Sequence, residues 1–184
     1  MKIIIPYAGN FPTQAVDGVA SALSQVTAYM YREPTADPEL DQYTEYVGGS
    51  DSAYFELLAR LWHMRESFIV VEHDVIVTEA AIAGLIECPN TWCSCPYPWY
   101  DRTLHGLGCT KFDAQIMQDL PELFDVIASD TNDLHPAKHW CNIDARMRRY
   151  LNSYMRNDHL HTTLVKHLRP YASHGCVPNR DVVR

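Results

Sequence analysis

The chain has 184 residues, of which 47% are hydrophobic and 21% charged, a composition that indicates a globular protein and excludes a disordered one. Its length suits one domain that buries a core without disulfide bonds, and its apolar runs are too short to cross a bilayer. The first residues, 1–6, predict a strand and not a signal peptide. We therefore expect a single domain spanning 1–184, in the cytoplasm and without membrane contact.

The formal net charge is −8, and it is unevenly distributed along the chain. Residues 1–137 carry 6 Lys and Arg against 20 Asp and Glu, whereas residues 138–184 carry 9 against 3 and hold five of the nine histidines. This asymmetry suits a polyanion-binding surface near the basic end. A solvated helix face followed by a basic tail explains it equally well.

Six cysteines occur in the chain, and without a secretion signal they predict reduced thiols. Three of them form the pattern Cys88-x4-Cys93-x-Cys95. This pattern lacks the paired C-x2-C spacing of common structural zinc sites. Buried or half-buried thiols are therefore favoured over a zinc site at this place.

The predicted elements alternate between strands and helices. In the first half they are a strand at 2–5 closed by a proline, a helix at about 13–31, a turn-rich connector at 33–38 and a helix capped by Ser50 or Asp51. In the second half they are a strand at 68–71, a helix capped by Thr78, a short strand at 92–97, a helical region at 113–128, a long helix at 140–155 and a last strand at 162–168. This order predicts an α/β domain with a mixed sheet and with ligands at the strand ends.

The strand at 68–71 runs directly into an acidic turn. Phe68-Ile69-Val70-Val71 is followed by Glu72-His73-Asp74, and the chain becomes apolar again at 75–77. Residues i and i+2 of an extended segment point to the same side, so Glu72 and Asp74 can face one cation together. Hard carboxylate oxygens suit Mn²⁺ or Mg²⁺, and a diphosphate ligand would add further oxygens. The alternative is a strand-end turn whose acids face solvent.

Histidines of the basic end are candidates to complete such a site through a neutral imidazole nitrogen. His167 is preferred because it lies in a predicted strand, and strand ends gather ligands in α/β sheets. His161 is the second choice. A structural role is the alternative for each of them.

With its apolar strand, acidic-x-acidic motif, short apolar stretch and helix, the chain resembles the GT-A-type glycosyltransferases. The resemblance implies a GT-A-like, Rossmann-like mixed sheet with a nucleotide-sugar half at about 1–90, an acceptor half at about 91–170 and a loose tail at 171–184. It also implies Mn²⁺ or Mg²⁺ on the diphosphate of a nucleotide sugar, a UDP-sugar above all. Asp74 matches the last acid of the family motif, whereas Glu72 stands where an aspartate is usual.

The resemblance further assigns roles to residues outside the motif. A nucleotide-sugar site would be formed by Pro6, Tyr7, His73 and Asp74. An acceptor pocket would be formed by Gly106, Leu107 and Gly108, together with Trp99 and Tyr100, whose rings can stack on sugars or bases. The general base of an inverting reaction would be Asp144, with Asp113 as the weaker candidate. A retaining reaction would need no such base, and helix-dipole stabilisation is the alternative role for Asp144.

Arginines near one predicted helix suggest an acceptor class. Arg148 and Arg149, with Arg146 and Arg156, can hold a phosphate backbone. A hydroxymethylated DNA base, of the kind modified by phage-encoded transferases, would suit this end, and the location would then be the host cytoplasm. Two other function classes stay open: a metal-dependent phosphohydrolase or nucleotidyltransferase on the same acids, and a non-catalytic nucleic-acid-binding module.

Overall fold

The computed structural model describes residues 1–7, 24, 41–99, 102–104, 106–131, 136–154 and 159–167. The predicted helix at 13–31, apart from Ser24, and the connector at 33–38 lie outside the described residues, as does the tail beyond 167. Five α-helices are described: α1 (Ala53–Met64), α2 (Glu79–Glu87), α3 (Ala114–Asp119), α4 (Leu123–Ser129) and α5 (Ile143–Tyr154). A 3₁₀ turn at Trp140–Asn142 precedes α5.

Ten strands lie in the described ranges, and six of them form one mixed sheet. They are β1 (Lys2–Tyr7), β2 (Asp41–Tyr46), β3 (Phe68–Val71), β4 (Val75–Ile76), β5 (Trp92–Ser94), β6 (Tyr97–Trp99), β7 (Arg102–Leu104), β8 (Cys109–Phe112), β9 (His159–Leu160) and β10 (Lys166–His167). The order in the large sheet is β2-β1-β3-β8-β5-β9. β1 pairs in parallel with β2 and β3, β8 is antiparallel to β3 and β5, and β9 is parallel to β5. This is the predicted α/β architecture.

Helices cover both faces of the sheet, and the alternation of β3 shows why. Phe68 and Val70 point into a core shared with α1, α3, α4 and α5, whereas Ile69 and Val71 point into a core shared with α2. A strand buried on both faces reads as a continuous apolar run, which is why β3 is recognisable in the sequence. Phe112 anchors the first core, with its ring centroid 5.3 Å from that of Phe68 and 5.7 Å from that of Trp62.

Several element predictions need correction. Of the expected last strand at 162–168, only the two residues of β10 form a strand among the described residues. β9 precedes this range and belongs to the large sheet, whereas β10 pairs with β4. The expected helical region at 113–128 is two helices, interrupted around Pro121, whose ring and missing N–H disfavour a helix interior. β2 and β8 are absent from the predicted elements altogether. No helix in the described part of the chain is long and apolar enough to span a membrane.

The topology gathers several chain segments at one edge of the sheet. Parallel β1 and β3 are neighbours, so Pro6, near the end of β1, and Glu72, directly after β3, lie at the same edge of the sheet. Antiparallel β8 starts at this same edge, because Val71 is in register with Cys109. The backbone N–H of Glu72 accordingly donates a 2.9 Å hydrogen bond to the carbonyl of Gly108.

Candidate active site

The acidic turn after β3 meets a histidine from the far end of the chain. The N–H of Val75 donates to the carbonyl of Glu72 at 3.0 Å and closes the turn, and β4 then pairs with β10 so that Val75 is in register with His167. His167 Nε2 lies 3.3 Å from Oδ2 of Asp74. One ligand atom each from Glu72, Asp74 and His167 lies within 4.8 Å of the others. The structure thus brings together three of the four predicted metal ligands.

This set fits a hard or borderline divalent cation. Two carboxylates and one imidazole form a ligand set that Mn²⁺ binds. The side chains of Asp74 and His167 are only 15% and 10% exposed to solvent, so they are largely shielded from water. The ring of Tyr97 stacks on that of His167 at a centroid distance of 4.8 Å, which restrains the imidazole. Supporting contacts of this kind orient ligands in metal sites generally.

The Glu72 carboxylate is fixed by a tyrosine and lies near two other carboxylates. The Tyr54 hydroxyl, from the first turn of α1, donates a 2.7 Å hydrogen bond to Oε1 of Glu72. Burial, together with the nearby carboxylates of Asp144 and Asp74, raises the pKa of Glu72 well above its usual value. Burial and the charge of Glu72 likewise raise the pKa of Tyr54. A cation beside these acids would relieve the repulsion between them.

Asp144, the predicted base, lies in the first turn of α5 and belongs to the same cluster. The backbone N–H of Leu107 donates a 3.3 Å hydrogen bond to its Oδ2. Burial raises the pKa of Asp144 to about 6, the charge of Asp74 adds to this, and the bond from Leu107 opposes it. A carboxyl group with a pKa in this range can act as a base near neutral pH.

Two glycines let the loop before β8 approach this cluster. A Cβ on Gly106 would collide with the Tyr97 hydroxyl and lie 2.6 Å from Oδ2 of Asp144. A Cβ on Gly108 would lie 2.9 Å from Cγ2 of Val75. The glycines at 106 and 108 are therefore needed for close packing of the loop against the site.

Gly106→Ala is expected to lower any activity that depends on Asp144 by roughly 10- to 100-fold, because the added methyl group displaces the Asp144 carboxylate from its position. The matched control is Gly49→Ala, since a Cβ there meets nothing within 4 Å. Initial rates and thermal melting of both variants check this. Equal rates in the two variants would contradict the placement of the loop in the site.

The other predicted site residues fall into three groups. Pro6 and Tyr7 end β1 at the site edge, and His73 lies within the acidic turn. Trp99 ends β6, where it is in register with Arg102. Tyr100, predicted in the acceptor pocket, lies outside the described residues, as does Arg156.

Asp113 lies at the opposite end of β8 from the site. Its Oδ1 accepts from the N–H of Gln115 and caps α3, and its Oδ2 accepts from the Ser67 hydroxyl. The residue thus does what an N-cap aspartate ordinarily does. This position argues against the predicted catalytic role of Asp113.

His161 does not join Asp74. It follows β9, and one of its ring nitrogens lies within 4.8 Å of the sulfur atoms of Cys88 and Cys93. The prediction of His161 as a ligand of the acidic site is therefore not supported by its location.

Two of the arginines predicted to bind a phosphate backbone, Arg146 and Arg149, instead bind other residues of this protein. Arg146 is fully buried and donates to the carbonyls of Pro136 and Ala137. Arg149 Nη1 donates a 3.1 Å hydrogen bond to Oδ2 of Asp130. Arg146 and Arg149 both face Asp130, and the complete burial of Arg146 argues against its predicted contact with a phosphate backbone. Arg148 is half-buried in α5.

Two residues of the cluster were not among the predicted site residues. Tyr54 and Tyr97 reach the site from α1 and β6. Tyr97 lies two residues before Trp99, which was predicted in the acceptor pocket, and this proximity in the sequence was a signal for Tyr97. Tyr54 carries no such signal, because only the packing of α1 beside β3 brings it to Glu72.

Comparison with known proteins shows the fold. No protein-family model matches the chain, and no curated protein matches its sequence. A solved structure, of a glycosyltransferase involved in glycosylation of the major capsid of PBCV-1, is similar over 90% of this chain and 92% of that chain, with 12% identity and a TM-score of 0.51. Rv0371c from Mycobacterium tuberculosis H37Rv gives 14% identity over 82% of this chain and 96% of that chain, with a TM-score of only 0.38. The first likeness and the mixed sheet confirm the predicted GT-A-like α/β fold.

Proposed function

We propose that the chain is a metal-dependent glycosyltransferase that moves a sugar from a nucleoside-diphosphate sugar to an acceptor hydroxyl. The observation that carries the proposal is the convergence of Glu72, Asp74 and His167, with Asp144 beside them, at the edge where parallel strands end. Ligands bind at this edge in open α/β sheets. The likeness in fold to a glycosyltransferase is consistent with this chemistry but does not establish it.

Each residue has a role in this proposal. Asp74 and His167, with Glu72, hold Mn²⁺ or Mg²⁺. When bound, the ion supplies positive charge against the charge that develops on the departing nucleoside diphosphate. Tyr54 fixes one oxygen of Glu72, so the other oxygen is left for the cation. Asp144 accepts the proton of the attacking acceptor hydroxyl if the reaction inverts the anomeric centre.

The surroundings of this cluster support a proposal for the donor and the acceptor. We propose that the donor is a UDP-sugar whose nucleotide contacts Pro6 and Tyr7, the last residues of β1, with His73. The loop at 106–108 would form part of the acceptor pocket, and an open depression of 390 Å³ lined by Pro98 and residues 164–167 lies next to His167. A hydroxymethylated DNA base stays a proposal for the acceptor, with Arg148, half-buried in α5, and Arg149, exposed on the same helix, as the arginines nearest to it.

Thermal melting with nucleotides and metal tests the binding part of this proposal. We expect UDP and Mn²⁺ together to raise the melting temperature by roughly 5–10 °C at saturation, because the diphosphate and the protein ligands share the ion. UDP with a chelator should raise it far less. A nucleotide effect that does not depend on metal would overturn the proposal.

Product analysis then separates transfer from hydrolysis. With each nucleotide sugar, the released nucleotide is measured with and without sugar, protein and hydroxymethylated DNA acceptors. Release that depends on an acceptor supports transfer. Acceptor-independent release of UMP with sugar 1-phosphate would instead favour a phosphohydrolase, an alternative for which Asp144 supplies a third carboxylate.

A further inference from the structure

A second cluster of metal-ligating side chains lies apart from the acidic site. Cys88 follows the last turn of α2, Cys93 lies in β5, and His161 follows β9. One ligand atom from each lies within 4.8 Å of the others. In a tetrahedral zinc site with these ligands, the ligand atoms lie about 3.5–3.8 Å from one another. Side-chain shifts smaller than a change of rotamer would bring the three ligand atoms to these distances.

The register of the sheet explains how these three residues meet. β9 pairs in parallel with β5, with Cys93 opposite His159, and the N–H of His161 donates a 3.0 Å hydrogen bond to the carbonyl of Ser94. Residues two apart on a strand share a face, so His161 lies on the same face as Cys93. That face is the one covered by α2, whose end carries Cys88.

The environment of the cluster suits a bound cation. Cys88 is 7% exposed and Cys93 is fully buried, and both are free thiols. The Nε2 atom of His161 is buried and has no hydrogen-bond partner among the described residues. A buried ring nitrogen of this kind is expected to have a partner, and a metal ion is one that two neighbouring sulfur atoms also accept.

The surroundings of the sulfur atoms favour the same role. Asn90 Nδ2 lies 3.4 Å from Sγ of Cys88, and such donors commonly support thiolate ligands. The buried Lys111 ammonium donates to the carbonyl of Cys88 and so holds the backbone beside the cluster in place.

We infer that Cys88, Cys93 and His161 bind a structural Zn²⁺ ion. His159, whose ring lies 4.8 Å from that of His161 between centroids, is in reach of the fourth position. The ion ties the two-residue edge strand β9 to β5 and α2, where strand pairing alone is weak. His161 and His167 are only six positions apart in the chain, so the zinc site also anchors the segment that brings His167 to the acidic turn.

Metal analysis of the purified full chain tests the inference. We expect about one Zn²⁺ per chain by inductively coupled plasma mass spectrometry, and less than about a tenth of that in Cys93→Ser and in His161→Gln. Two controls should keep the zinc: Asp74→Asn, which removes a ligand of the acidic site, and Cys95→Ser, which changes a neighbouring buried thiol outside the cluster.

Cobalt provides a readout that does not depend on the folding of a variant. Co²⁺ added to the metal-free wild-type chain should give the intense thiolate-to-cobalt charge-transfer absorption of a site with sulfur ligands, and Zn²⁺ should displace it. The absence of this band, a Cys88–Cys93 disulfide in the isolated protein, or equal zinc in wild type and His161→Gln would each overturn the inference.

Discussion

Asp74→Asn is expected to reduce glycosyl transfer by about 10³-fold or more, because loss of a charged ligand removes several kcal/mol of stabilisation of the departing diphosphate. The amide keeps the size of the side chain and can still accept a hydrogen bond, so the turn between β3 and β4 should persist. Initial rates at saturating Mn²⁺, with the melting shift given by UDP and Mn²⁺, provide the measurement. We expect the variant to lose both the initial rate and the shift in melting temperature.

Glu72→Gln and Glu87→Gln are the comparison variants. Gln at 72 can still accept the hydrogen bond from Tyr54, and we expect a smaller loss, about 10- to 100-fold. Glu87 is exposed at the end of α2, so its variant should match the wild type. A fully active Asp74→Asn enzyme would remove the metal site from the mechanism. A larger loss for Glu72→Gln than for Asp74→Asn would reverse the assignment of the main ligand.

The acidic site could be predicted because its signals are local. A strand buried on both faces reads as an apolar run, and carboxylates directly after it stand out. Glu72 and Asp74 were therefore found from the order of residues alone. His167 and Asp144 were found by combining a predicted strand and helix start with the family resemblance.

Strands β2 and β8 were missed for physical reasons. β2, Asp41–Tyr46, is an edge strand, and its DQYTEY sequence carries no apolar run because pairing on one side with β1 is enough. β8 is central and buried, yet it contains Lys111, whose ammonium is satisfied by the carbonyl of Cys88. A charged residue such as Lys111 interrupts the apolar pattern of a strand, so a prediction based on hydrophobicity does not detect it.

The different locations of the two predicted histidines could not be predicted from the sequence. His161 and His167 are six residues apart in a similar setting, yet one lies near cysteines and the other near carboxylates. The difference arises from pairing: β9 joins β5 in the large sheet, and β10 joins β4 in a separate one. The paired residues are 66 positions apart for β9 and β5 and 90 to 92 positions apart for β10 and β4, and no local pattern predicts such distant partners.

Asp144→Asn is expected to lower the rate of transfer by 10²- to 10⁴-fold if Asp144 is the general base, the usual range for loss of such a group. The rate of the wild type should fall as the pH drops through about 6, where the carboxylate becomes protonated, and the variant should lack this dependence. Asp113→Asn is the matched control, because asparagine also caps helices well and this residue lies at the other end of β8. An active Asp144→Asn enzyme would indicate a retaining reaction or another base.

The same substitution should make the metal-free protein more stable, and this separates catalysis from folding. The folded-state pKa of Asp144 is raised from 3.8 to about 6, so its charged form disfavours the folded state above pH 6 and has no such effect below pH 4. Asp144→Asn removes this cost, and we expect the free energy of unfolding to rise by about 1–2 kcal/mol at pH 7.5, a gain that is limited because the carboxylate is partly exposed to solvent.

The gain in the free energy of unfolding should vanish as the pH falls towards 4, and saturating Mn²⁺ should reduce it by stabilising the wild type. Urea unfolding at both pH values measures this. A variant that loses activity and stability together at pH 7.5 would indicate that Asp144 serves the fold and not the reaction.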